Sequence, residues 1–360
     1  MAIPAPIDPK KAEAFSGNLL AALNHGGLCL MISLGHRSGL FDAMRGMGPA
    51  TPEDIAAKSG LNERYVREWL GAMVTGGVVE YDPESQRYLL PPEHAAFLTR
   101  AAGADNMAVF SQYIAELGSV ENLILECFRK GGGVPYEKFP RFHDVMAEDS
   151  GQSVMSSLES HIVPLVPGLH EALARGIEVL DVGCGRGLII TRLAEIYPKS
   201  RFRGLDFSSD AIAYARASAT AKGLQNVAFL TEDAAAMGES VQPESLDLIT
   251  TFDAIHDQAK PLEALRGIHR ALKPDGIYLM QDIKGSSDVH KNVGHPLGTL
   301  LYTISCMHCM TVSLAYGGEG LGAMWGEEKT RAYLERAGFG SVEKKELAHD
   351  IQNNWYIVRK

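Results

Sequence analysis

A chain of 360 residues, 46% hydrophobic and 22% charged, has apolar material for more than one core and is not a disordered polymer. Its formal net charge of -10 argues against a dedicated nucleic-acid binder, whose affinity would come from Lys and Arg on phosphates. Five scattered cysteines (Cys29, Cys127, Cys184, Cys306, Cys309) match no zinc-finger spacing and fit reduced thiols in a cytoplasm better than a disulfide framework.

Residues 1–9 carry neither a basic segment nor an apolar one, so no signal peptide is expected. Residues 1–100 read as a small helical domain. An apolar segment at 19–34 contains Gly26-Gly27 and stops at 38–42. Thr51 caps a short helix with Pro52 at its first position and acids in its first turn, and Gly60 ends it. A second helix is expected over 62–74, with Tyr65, Val66, Trp69 and Met73 at helical spacing, followed by strands 78–81 and 87–90. That is a helix–turn–helix with a two-stranded wing. DNA binding is disfavoured, because residues 1–100 hold nine Lys/Arg against eleven Asp/Glu and the second helix offers only Arg64 and Arg67. A dimer scaffold is the preferred reading.

Residues 101–175 are expected to form a helical connector that contributes to a pocket. It comprises an amphipathic helix at 106–128 (Val109, Tyr113, Leu117, Val120, Ile124, Phe128), an aromatic loop at 134–143 and a helical pattern from 153 to 173 interrupted by Pro164 and Pro167.

From residue 176 strands and helices alternate, the pattern of a parallel sheet with crossovers. Strands are predicted at 177–182, 201–207, 226–231, 246–255 and 276–283, with helices at 188–196, 210–222 and 261–272 between them. A helix at 327–337 and strands at 342–347 and 355–358 close the chain. The turn after the first strand reads Asp181-x-Gly183-x-Gly185-x-Gly187, which lets backbone approach a ligand. Its spacing is not that of a pyrophosphate-binding loop. A carboxylate beside bare backbone suits a ligand that carries an ammonium and a sulfonium. Further acids end the following strands, where such sheets hold ligands. Asp206 is placed for two ribose hydroxyls, with Phe207 for an adenine face. Asp233 with the amide of Ala234 is placed for an adenine amino group, and Asp253 lies over the methionine and methyl region.

The segments 179–187, 204–208 and 272–279 resemble the motifs of class I S-adenosylmethionine-dependent methyltransferases. The resemblance implies an α/β fold, a Rossmann-like seven-stranded sheet whose seventh strand is antiparallel, and S-adenosyl-L-methionine as cofactor. With a winged helix in front, the chain resembles small-molecule O-methyltransferases of the caffeate and acetylserotonin type and bacterial winged-helix methyltransferases, which implies a homodimer and a small-molecule acceptor. Oxygen is the expected accepting atom, with sulfur or nitrogen as alternatives. The segment 252–258 resembles a motif whose His is the catalytic base, and His256 falls on that position; Gln258 stands where the motif has Trp. The bland reading is that His256 only hydrogen-bonds a neighbouring loop. The competing function is a winged-helix regulator that senses S-adenosylmethionine or a small ligand.

An insert at 284–326 is expected to cap the substrate, so Tyr136, Phe142, His143, His295, Tyr302, His308 and Trp325 are the expected pocket residues. Cys306, His308 and Cys309 do not converge on one helix face (Cys306 and Cys309 share one, His308 is turned away), so no metal is expected. The run 297–316 lacks Asp, Glu, Lys and Arg over 20 residues but carries six Ser, Thr or His, and reads as a buried pocket helix, not a membrane span.

Overall fold

In the computed structural model, which describes residues 7–238 and 240–360, local capping chemistry sets the first half and sheet topology the second. Residues 1–6, part of the stretch read for a signal peptide, lie outside the described residues. Two units are formed, one up to Ala115 and one from Glu116 onward.

In the first unit, Asp8 caps α1 (Pro9–Ser38) by accepting from the Lys10 and Lys11 amides, and Gly39 ends it at φ 76°. Gly26-Gly27 does not interrupt this helix. The short α2 (Leu40–Met44) follows. Thr51 and Asp54 form a reciprocal capping box on α3 (Pro52–Ser59), and Asn62 caps α4 (Glu63–Thr75). Val66, Trp69, Leu70 and Met73 of α4 are buried, whereas Tyr65, expected on the same face, is 79% exposed. The wing is shorter than expected: β1 (Glu80–Asp82) pairs antiparallel with β2 (Arg87–Leu89). After it comes α5 (Pro92–Leu98).

The single helix expected at 106–128 is broken. A 3-10 turn at Met107–Val109 precedes α6 (Ser111–Gly118), and α7 (Glu121–Lys130) begins after Gly118-Ser119. Phe128, expected inside, is exposed. The aromatic segment runs into a helix that the sequence pattern did not show, α8 (Phe142–Ser153), so Phe142 and His143 are helical. Short 3-10 and π turns from Met155 to Leu165 include Pro164, and Pro167 lies in the turn before α9 (Leu169–Arg175).

The second unit holds a seven-stranded sheet in the order β5-β4-β3-β6-β7-β9-β8. The strands are β3 (Glu178–Val182), β4 (Arg201–Asp206), β5 (Val227–Thr231), β6 (Leu246–Phe252), β7 (Leu272–Ile283), β8 (Ser341–Lys345) and β9 (Asn353–Arg359). β3 to β7 are parallel, and β9 runs antiparallel to β7 and β8. The crossover helices α10 (Leu188–Ile196), α11 (Ser209–Ala221) and α12 (Pro261–Ala271) bury apolar faces on the sheet, giving one core around Leu180, Ile249, Leu265 and Tyr278 and another around Val179, Ile190, Phe202 and Leu248. The chain turns one way from β3 to β4 and the other way to β6. That reversal opens a crevice at the carboxyl ends of β3 and β6, where such sheets bind ligands.

The insert between β7 and the last helix contains α13 (Gly298–Ile304), a π-helical segment at Ser305–Cys309, α14 (Met310–Ala315) and a 3-10 turn at Ala323–Trp325 that leads into α15 (Gly326–Ala337). The segment Gly298–Ala315 and helix α1 are each long and apolar enough to cross a membrane, and 44% of the insert's window is buried in the fold.

Candidate active site

A cavity of about 420 Å³ occupies the crevice. Its floor is the turn after β3. Gly183, Gly185 and Gly187 all have left-handed backbone, at φ 74°, 51° and 69°. A Cβ on Gly183 would lie 2.5 Å from the Cβ of Ala254, and one on Gly187 2.5 Å from the Phe229 ring. Gly185 borders the cavity with open space above it. Gly183 therefore brings the turn against the end of β6, while Gly187 lets α10 pack on the sheet. Of the three, Gly187 does not line the cavity.

Asp181 is 2% exposed, and its Oδ1 accepts a 2.7 Å hydrogen bond from the Thr250 hydroxyl. Burial pushes its carboxyl up to about 7, against the Thr250 hydrogen bond and aided by the charge of Asp206. Asp206 lines the cavity but is partly committed. Its Oδ2 accepts from the Gly185 amide and its Oδ1 from the Ser208 amide, each at 2.9 Å. Burial raises its pKa, opposed by these two amides. The carboxylate thus braces the glycine turn as well as facing the ligand space. Asp233 and Ala234 line the same cavity, and Asp233 Oδ1 also caps the next turn through the Ala235 amide at 2.9 Å. Phe207 stands edge-on to Tyr136 and Tyr316, each at a centroid distance of 5.8 Å.

The loop before α8 forms the roof. The Val134 amide donates to the Thr311 hydroxyl at 2.9 Å, and Gly133 has no room for a Cβ against the Thr311 carbonyl. This ties the loop to α14. Tyr136, Phe142 and His143 all reach the cavity. His143 bridges the Tyr136 hydroxyl (3.4 Å) and the Ser208 hydroxyl (3.3 Å), and Asp144 pairs with Arg186 of the glycine turn at 2.6 Å. Arg186, whose contacts no local pattern announced, also lies over the Tyr214 ring at 4.7 Å.

The other end of the cavity holds a polar cluster. Asp253 has left-handed backbone at φ 51°, and its carboxyl is raised well above the ordinary value by burial and the nearby charge of Asp282. His256 is 3% exposed. Its Nδ1 is 2.8 Å from Asp282 Oδ1 and its Nε2 is 3.2 Å from Asp257 Oδ1. Burial disfavours the imidazolium, but Asp282 and Asp257 together outweigh it and hold its pKa well above the usual value. His256 itself does not line the cavity; Asp257 does. The carboxylate that pairs with His256 was not identifiable in the sequence. It is Asp282, an acid at the end of β7, placed by the same strand-end rule that pointed to Asp206.

The remaining expected pocket residues divide. His308 is fully buried, stacks on Phe142 at 3.3 Å and 6°, and is kept neutral, its pKa lowered by burial and by the charges of His256 and His143. His295 and Tyr302 line a different cavity, between α7 and the insert. Trp325 lies behind the cluster and donates its indole N–H to Asp282 Oδ1 at 3.0 Å. Cys306 faces the second cavity, whereas Cys309 stands with His256 and Asp257, their ligand-type atoms all within 4.8 Å of one another. The expected common face of Cys306 and Cys309 is absent because the segment winds as a π-helix, not an α-helix. Asp253, His256 and Asp282 form a second such triple. Either triple has the donor types for a cation, while the 2.8 Å contact already pairs His256 with Asp282 as acid and base.

Residues 26–100 match the family model of the Rv2258c-like winged HTH domain, and residues 173–338 that of a methyltransferase domain. The chain carries a class I methyltransferase domain behind a winged helix. The methyltransferase domain is similar to the malonyl-[acyl-carrier protein] O-methyltransferase of Bacillus cereus, 26% identical over 160 residues, which are 44% of this chain and 52% of that one. It is also similar to the ubiquinone biosynthesis O-methyltransferase of Ruegeria pomeroyi, 30% identical over 30% of this chain and 42% of that one. The chain thus spans about half or less of the length of these curated relatives. Among solved structures, human N-acetylserotonin methyltransferase in complex with SAM superposes with a TM-score of 0.70 at 17% identity, covering 99% of both chains. The mitomycin 7-O-methyltransferase MmcR gives 0.67 at 18%, covering 98% of this chain and 100% of its own. At these identities the likeness establishes the fold.

The methyltransferase domain has the shape for its cofactor. Gly185 leaves open space where a side chain would stand, Asp181 and Asp206 face that space, and Asp253 Oδ1 has no hydrogen-bond partner among the described residues.

Proposed function

We propose that this chain is an S-adenosylmethionine-dependent methyltransferase acting on the oxygen of a small-molecule acceptor. The observation that carries the proposal is one continuous cavity running from Asp181, Gly183, Gly185, Asp206 and Asp233 to Asp257. Asp181 and Asp253 would face the cationic methionine end, Asp206 the ribose, and Asp233 with Ala234 the adenine. When bound, S-adenosylmethionine supplies an electrophilic methyl group on a sulfonium.

The chain's own residues position the acceptor and take its proton. Tyr136, Phe142 and Phe207 offer apolar and aromatic walls, and His308 stacked behind Phe142 stiffens them. Asp257 is the member of the polar cluster that meets an acceptor hydroxyl, and His256 stands directly behind it. Asp282 fixes the imidazole through Nδ1, so Nε2 is the atom turned toward Asp257. The hydroxyl proton passes to the Asp257–His256 pair, which titrates as one unit. Because both carboxylates favour the imidazolium, the pair accepts a proton only above the ordinary His value of about 6.5.

A homodimer is part of the proposal. Helix α1 exposes Phe15, Leu19, Leu20, Leu23, Leu30 and Leu34 to between 44% and 75%, more apolar surface than a lone soluble helix keeps uncovered. The reading as a DNA-binding regulator has less support. Arg64 pairs with Glu68 at 2.5 Å, and Arg67 pairs with Glu63 at 2.6 Å and Glu53 at 2.9 Å, so both basic residues of α4 are engaged.

Calorimetric titration tests the cofactor assignment. S-adenosylmethionine should bind, NADH should not, and Asp206→Ala should weaken binding by about tenfold or more, as expected for losing a hydrogen bond to a charged group. Heat with NADH and none with S-adenosylmethionine would remove the assignment. Light scattering that finds a monomer, or duplex-DNA affinity with a steep salt dependence, would favour the regulator.

A further inference from the structure

Asp282 concentrates its hydrogen bonds in an unusual way. Three donors converge on Oδ1: His256 Nδ1 at 2.8 Å, the Ile283 amide at 2.8 Å and Trp325 Nε1 at 3.0 Å. Oδ2 has no partner. The indole that completes this set comes from the far end of the insert, 43 residues along the chain, and it is clamped. The Ser287 hydroxyl donates to the Trp325 carbonyl at 2.5 Å, the ring meets Tyr333 edge-on at 5.7 Å, and the next residue, Gly326, has no space for a Cβ against Ser286 and Ser287. Trp325 is 1% exposed and does not line the cavity. Packing alone would not require its N–H to reach the one oxygen that also holds the imidazole.

We propose that Trp325 is a positioning residue for proton transfer: its indole N–H shares Asp282 Oδ1 with His256, fixing the carboxylate and limiting its pull on the imidazole. This rests on the reading of His256 as half of the proton-accepting pair. A carboxylate oxygen stabilised by two fixed donors, the indole and the Ile283 amide, holds a third, cationic donor less tightly. The other groups facing His256 are Asp257 and Asp253, the Cys309 thiol and the His308 ring, and Tyr278 and Tyr356 face Asp282. None of them donates to Oδ1. Trp325 is therefore the side chain through which the insert donates to this carboxylate.

The test is Trp325→Phe, which keeps an aromatic ring and removes the N–H. A second variant carries benzothienylalanine at 325, which replaces the N–H by sulfur with little change of shape, in case phenylalanine leaves a void. Two quantities are read: the pH profile of kcat, and the His256 titration by 15N-histidine NMR on the full chain with no acceptor present, assigned with His256→Gln. The expected result is a His256 titration moved to higher pH. Turnover should fall about tenfold at pH 7, the scale of one hydrogen bond to a charged group, and recover in alkaline buffer, with KM and cofactor affinity within twofold. Loss of turnover that alkaline pH does not restore, or an unmoved His256 resonance in both variants, would overturn the proposal. The two readings fail separately. Unchanged turnover in His256→Ala sinks the proton-accepting pair, whereas the NMR shift alone decides whether Trp325 acts on His256.

Discussion

The two ends of the cavity are built on opposite principles. The glycine-turn end comes largely from consecutive residues after β3 and β4, and its carboxylates are already supported: Asp181 by Thr250, Asp206 by the amides of Gly185 and Ser208. The acceptor end is assembled from the end of β6, the end of β7, the π-helical turn and the start of α15. There, Asp282 Oδ2 has no hydrogen-bond partner among the described residues, and Asp257 Oδ1 faces His256 Nε2 at 3.2 Å. Asp257 lines the cavity, and the group that holds it, His256, is itself ionisable. One end is braced by fixed donors, and the other by groups that can exchange a proton.

The sharpest break in that contrast is His256→Ala. Turnover should drop by roughly a hundredfold or more, with cofactor affinity within about twofold, because His256 touches only the acceptor end. The acid limb of the pH profile, lying above about 6.5 in the parent, should disappear. Should turnover and profile both survive, the acceptor end works by alignment alone and His256 is a structural partner of Asp282. Both values come from steady-state kinetics and a binding titration.

The glycine turn is separable in the same manner. Gly187→Ala places a Cβ 2.5 Å from Phe229 on a backbone at φ 69°, and should lower unfolding free energy by about 1–3 kcal/mol, read by denaturant melts. Gly185→Ala shares the strain of a positive φ, 51°, but its Cβ meets nothing within 4 Å, so it should cost less stability than Gly187→Ala and more cofactor affinity. Equal effects of the two on binding would mean that Gly187 also touches the ligand.

The smallest expected effect is a slope. The Asp181 carboxyl, pushed up to about 7 in the fold against about 3.9 unfolded, favours the folded state when protonated. Its contribution is complete below about pH 4 and drains away as pH rises through 7. Asp181→Asn should therefore flatten the decline of Tm between pH 5 and 8 in the cofactor-free protein. Parallel Tm curves for the two proteins would place that pH dependence elsewhere, for instance at Asp206.

What the sequence alone determined follows from short-range rules. Thr51 and Asp54 announced a capped helix, the alternation after residue 176 announced a parallel sheet, and the glycine turn with strand-end acids located one end of the cavity. Each depends on neighbours within about twenty residues and on the backbone freedom of glycine. The tertiary structure decided the rest because its partners are distant in the chain. Asp282 meets His256 across 26 residues and Trp325 across 43, and no periodicity links such positions. His295 and Tyr302 went to a second cavity between α7 and the insert, and Cys306 parted from Cys309 because a π-helical turn rotates side chains off the α-helical faces on which that reading relied. Helix α8 escaped notice for a related reason: its Phe142 and His143 pack on His308, Tyr136 and Ser208 from other segments, so contacts made only in the folded chain support it.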